Sequence, residues 1–146
     1  MITLYWPPIT AVILAAHVLA NIVWIGALLA ESLLVAQATW ISDPPEAGVF
    51  ARRVHTRLAI PAFLVSFGAG LAKLVPGRYA YAHMPWMYAK LAFAVVVIVL
   101  HHVIGGRARR LAGGSVRAAE GASLMGLLTL LAAAGAVLFA MAKSTP

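Results

Sequence analysis

The chain has 146 residues, 63% of them apolar and 10% charged, with a mean hydropathy of +0.94 and a net charge of +7. So thin a polar skin cannot cover that much apolar surface in water, and the composition predicts a single transmembrane domain with lipid as its solvent. The absence of cysteine excludes disulfides, thiolate metal sites, iron–sulfur clusters and cysteine nucleophiles. The 11 Lys and Arg then read as orientation signals and lipid-facing cations, with no nucleic-acid partner.

A helix that crosses a bilayer needs about 20 mostly apolar residues, and four runs qualify. The first covers about 9–40 and follows Pro7-Pro8, residues suited to a first helical turn. Ala36-Gln37-Ala38 has the form of a signal-peptidase site, but no Lys or Arg precedes the run and it is too long for a signal-peptide core, so the segment is expected to stay. Asp43-Pro44-Pro45 closes it and opens the second, about 46–75, which Pro76-Gly77 ends. Pro61 inside the second run is expected to kink it and to free a carbonyl one turn earlier. The third covers about 85–104, closed by Gly105-Gly106, and the last about 117–142. Short links make neighbours antiparallel, so the expected fold is an all-α, up-down four-helix membrane bundle.

Arginine sets the expected orientation. Arg52, Arg53, Arg57, Arg107, Arg109, Arg110 and Arg117 cluster at the first and third links. Arg78 and Lys143 lie on the opposite side, with Lys73 and Lys90 just inside the spans. The positive-inside rule then puts both termini outside the cytoplasm, in a cell inner (plasma) membrane. Small residues in the last run (Gly121, Ala122, Gly126, Ala133, Gly135, Ala136) suit close helix packing.

The polar residues fall on stripes. His17, Asn21, Trp24, Leu28, Glu31 and Val35 follow helical spacing and share one face of the first helix. His55, Ala59, Ala62, Ser66 and Lys73 do so on the second, and Trp86, Lys90 and His101 on the third, with His102 turned aside. Ionisable groups in a span are costly and usually face the bundle interior, so a shared polar interior is expected. Lys73 and Glu31 also suit snorkelling to the interface, and His55, between Arg53 and Arg57, suits an interfacial position. His17 and His101 lie too deep for that.

Imidazole without cysteine in a four-helix bundle suits haem iron or a proton path. Haem needs an apolar slot, axial imidazoles and cations for its propionates. His17 and His101 are the candidate iron ligands, Lys90, Trp24 and Arg57 candidate haem contacts, and Glu31, His101 and Lys90 candidate proton-transfer groups. At 1.5 Å per residue, His17 sits about 12 Å and His101 about 20 Å below the outer ends of their helices. A difference near 10 Å is too large for one iron to take both unless tilt or helix offset closes it.

Three stretches carry a resemblance: AHVLANIVWIGALLAESLLV, RRVHTRLAIPAFLVSFGAGLAKL and WMYAKLAFAVVVIVLHHVIGGRARR. Together they resemble the HemJ-type protoporphyrinogen oxidases, small membrane proteins related to a copper-resistance D-like group. The resemblance covers about 14–120 and is sharpest in the Trp86, Lys90, His101 spacing. It implies haem b, oxidation of protoporphyrinogen IX to protoporphyrin IX with electrons passing to quinone, His17 as a haem ligand, and Lys90 and His101 as site residues. Two departures mark a divergent member. The family motif usually has His where this chain has Tyr88, and the Arg-x-x-Asn-Glu-x-Pro pattern is reduced to Arg117 and Glu120.

Two other readings stand beside this one. A non-catalytic b-type cytochrome electron-transfer subunit of a larger membrane complex is favoured by the missing Asn and Pro and by the short loops. The expected partners are membrane lipids, with assembly as a homo-oligomer or in such a complex. A copper-handling protein would use His83, Met84 and Met87, whose side chains suit Cu(I).

Overall fold

The computed structural model describes residues 9–75, 81 and 83–142. The expectations placed on Pro7-Pro8, Pro76-Gly77, Arg78 and Lys143 lie outside the described residues. Four long helices follow one another: α1 (Ile9–Gln37), α2 (Pro44–Leu74), α3 (Pro85–Ala112) and α4 (Ala122–Ala142). Among the described residues there is no strand. All four spans are long and apolar enough to cross a membrane. Large apolar side chains cover their outer faces, Leu19, Ile22, Leu64 and Leu138 among them. That outer surface suits lipid, whose hydrocarbon asks nothing polar of it.

Local chemistry explains most boundaries. Asp43 caps α2 by accepting the Glu46 N–H at 3.2 Å, with Pro44 and Pro45 filling positions that need no donor. α3 starts at Pro85, as the sequence implies, but runs two turns beyond its expected end at Gly105-Gly106 and stops at Gly113-Gly114, where Gly114 takes φ +91°. Gly105 and Gly106 are helical because tertiary packing outweighs their weak propensity. Gly105 lies against the His55 ring, where a Cβ would collide. The expected continuous run 117–142 is also divided. A 3₁₀ turn, Val116–Ala119, precedes Gly121 at φ +69°, and only then does α4 begin. Arg107 braces that turn by donating to the carbonyls of Ala118, at 3.1 Å, and Glu120.

Inside α2, a π-helical turn over His55–Ala59 separates α-helical Pro44–Val54 from Ile60–Leu74. The Ile60 N–H bonds the His55 carbonyl, five residues back. Pro61 follows at once and has no N–H to give to the preceding turn. The expected kink is thus a widened turn, a form that recurs at functional sites.

The helices pack in a ring. α1 contacts α2 and α4; α3 contacts α4 and the first half of α2. Gly48 brings α2 so close to α3 that a Cβ would meet the backbone of Leu111 and Ala112. The second half of α2, Ile60–Leu74, packs on α1 and makes little close approach to α3. Burial follows the same gradient. Trp24, Leu28, Ala59, Val97, Leu100 and Ile104 form one apolar cluster, and Val35, Ala51, Ala108, Leu111 and Ala119 another towards the arginine-rich end. At the end that carries Lys73 and Lys90, α2 and α3 stand apart.

Candidate functional site

The α1 stripe faces inward as its spacing predicts: Trp24, Leu28, Glu31 and Val35 are buried and His17 and Asn21 half-buried. On α2, Ala59, Ala62 and Ser66 are buried, with His55 and Lys73 half-buried. On α3, His101 is buried, Trp86 and Lys90 are half-buried, and His102 is exposed. The polar side chains gather in two groups at different depths.

The first group surrounds His17. Its Nδ1 lies 2.8 Å from the Ser66 carbonyl, an acceptor only, so Nδ1 carries the proton and Nε2 keeps the lone pair. Asn21 Nδ2 donates to that Nε2 at 3.2 Å and to the His17 carbonyl at 2.8 Å. Gly70 lets the ring lie against α2, since a Cβ there would come within 3.2 Å of it. Lys73 and Lys90 are both within electrostatic reach of the imidazole. His17 thus lies between α1 and α2 at the end of the bundle that carries Lys73 and Lys90.

The second group lies deeper. Trp24 Nε1 donates to His101 Nδ1 at 3.1 Å. His101 is sandwiched between Phe63, with ring centroids 5.1 Å apart, and His55, at 4.7 Å. His55 Nδ1 in turn lies 2.9 Å from Glu31 Oε2. A neutral imidazole has one lone pair, and in His101 the indole takes it. The Asn21 amide takes that of His17 Nε2 in the same way, but His101 is buried between two rings while His17 is half-buried. Glu31 is 0% exposed, so its carboxylate does not reach out of the bundle, and the His55 side chain is 14% exposed. The chain Trp24–His101–His55–Glu31 joins three helices.

Other sequence candidates are dispersed. Arg57 is exposed and borders a shallow apolar groove between α1 and α2, lined by Ala16, Ala20, Pro61 and Ala62, outside the bundle interior. Met87 is buried while His83 and Met84 are exposed, so the three do not converge on one face. Among the described residues, no cluster of three or more His, Asp or Glu side chains is arranged to hold a metal ion. Tyr88 is 59% exposed. Sequence reasoning missed Phe63 and Gly105: an apolar ring and a glycine carry no polar signal, and their roles come from their histidine neighbours.

No family model, curated protein or solved structure matches the chain.

Proposed function

We propose that the protein is a haem b-binding oxidoreductase of the inner membrane, resembling the protoporphyrinogen IX oxidases, with both termini on the non-cytoplasmic side. One observation carries the reading: His17, with Nδ1 tied to a backbone carbonyl and its lone pair on Nε2, stands where α2 and α3 part, within reach of Lys73 and Lys90. An Nδ1–H bond to a carbonyl is the usual way a ligating imidazole has its tautomer and ring orientation set.

The donor chemistry at His17 supports a single haem. His17 Nε2 would take the iron once the Asn21 amide swings aside, and Lys73 and Lys90 would neutralise the propionates. Haem, when bound, supplies one-electron transfer between an organic substrate and a quinone. The remaining chemistry belongs to the chain. The apolar walls exclude water, Lys90 holds an anionic group of cofactor or substrate, and protons lost from the macrocycle need an acceptor. His101 and Glu31 lie about 10 Å and 21 Å further along the bundle than His17, taking Trp24 and Glu31 as markers on α1. They are therefore groups that hold or move protons, without touching the macrocycle. The arginine cluster faces the cytoplasm, where it orients the protein and attracts anionic lipid.

Tyr88, exposed at the position of the family's histidine, favours a second reading: a b-type cytochrome subunit that keeps the haem and has lost the substrate chemistry. The test is anaerobic oxidation of protoporphyrinogen IX by purified protein with a quinone analogue. Stoichiometric formation of protoporphyrin supports the oxidase. Haem that dithionite reduces and the quinone analogue reoxidises, with no protoporphyrin formed from protoporphyrinogen IX, supports the subunit.

A further inference from the structure

The Glu31–His55 pair is built into the bundle at some cost. Glu31 is the only acidic residue of α1 and is fully buried. Oε2 meets His55, but Oε1 is buried with no hydrogen-bond partner. Burying a carboxylate is expensive unless it is neutralised. Three features of the backbone keep His55 against it. The π turn begins at His55, Pro61 follows that turn, and Gly105 leaves the space the ring occupies.

We infer that Glu31 and His55 form a proton-holding site that exchanges with water through the imidazole of His55 at the arginine-rich end of the bundle. The site goes beyond the haem reading and stands whether or not His17 carries iron. Oε2, which faces His55 Nδ1, is the atom that can take a proton from the ring, and the unpartnered Oε1 is what makes the bare carboxylate costly. Without that proton, a bare carboxylate faces a neutral imidazole in the apolar interior. With it, the pair rests as a neutral carboxylic acid beside a neutral ring, reached through a carboxylate beside an imidazolium. The transfer is balanced: hydronium gives a proton to His55 Nε2 and leaves water, and the Nδ1 proton passes to Glu31 Oε2. The ring is left as its Nε2–H tautomer with Nδ1 accepting from the carboxylic acid, and the same steps reverse on release.

Neighbouring charges leave this role to the pair. α1 contributes only Glu31. α2 contributes His55, while Arg52, Arg53 and Arg57 are exposed on its other faces. From α3, His101 stacks on His55, exposed His102 lies behind it, and Arg107 is turned to the carbonyls of Ala118 and Glu120. The described part of α4 has no ionisable side chain, and its buried Thr129 hydroxyl is tied to the Met125 carbonyl. Glu31 is fully enclosed and His55 is not, so the imidazole is the point of entry.

Infrared difference spectroscopy of the purified protein in lipid nanodiscs tests the site. Acidification should raise a protonated-carboxyl C=O band that shifts in D₂O, and Glu31→Gln should remove it. His55→Gln should keep the band and lose its fast exchange with D₂O. Gly105→Ala, which leaves both partners intact and puts a methyl group where the His55 ring lies, should lose fast exchange too. The inference is overturned by a wild-type protein with no such band, by a band that survives Glu31→Gln, or by exchange in His55→Gln and Gly105→Ala as fast as in the wild type.

Discussion

Trp24 and His101 make a bond that the apolar interior offers no means of replacing. Trp24→Phe keeps an aromatic ring but removes the donor, so the buried His101 Nδ1 loses its partner. The expected cost is about 1–3 kcal/mol, read as a lower unfolding midpoint in detergent than that of the wild type. Lys90 supports a different prediction, because its half-buried place near His17 allows two roles. If it holds one anion in a shaped slot, Lys90→Arg and Lys90→Met both lose haem and activity, since a planar fork does not replace a compact ammonium. Haem retention by Lys90→Arg at wild-type level, at matched expression, makes Lys90 an interfacial anchor.

At the scale of the helix, close approach decides stability. Gly48 permits the contact between α2 and the end of α3, so Gly48→Val should force the helices apart. Overpacking of this kind costs about 1–3 kcal/mol or more, and a thermal melt in detergent should show it. Gly68→Val, on the same helix with open space at its Cβ position, should melt close to wild type. Much of this arrangement is legible in the sequence. The stripe from His17 to Val35 could be read because one helix face repeats at fixed spacing, and the same holds for Ala59, Ala62 and Ser66. The end of α3 could not, because Gly105-Gly106 has the composition of a stop while its role is to admit a ring from another helix. Nor could the Glu31–His55 pair: its register depends on the π turn, and the arginines flanking His55 suggested an interfacial residue. The split before α4 depends on Arg107 gripping carbonyls across a turn, an interaction no local pattern encodes.

For the whole molecule, orientation and cofactor are the open claims. The chain has no native cysteine, so single cysteines report sidedness cleanly. Ser115→Cys and His83→Cys replace exposed residues at opposite ends of α3. An impermeant maleimide should label Ser115→Cys only after the cytoplasmic face is opened, and His83→Cys in intact cells. The reverse pattern would invert the bundle. Haem ligation by His17 is the central claim, and the visible spectrum of the purified protein tests it most directly. The wild type should show a Soret band and a sharp reduced α-band. His17→Ala should insert normally, alanine being a good helix former, and lose both bands, while His101→Ala keeps its Soret band. A wild type without a Soret band, or a His17→Ala spectrum identical to it, would contradict the account.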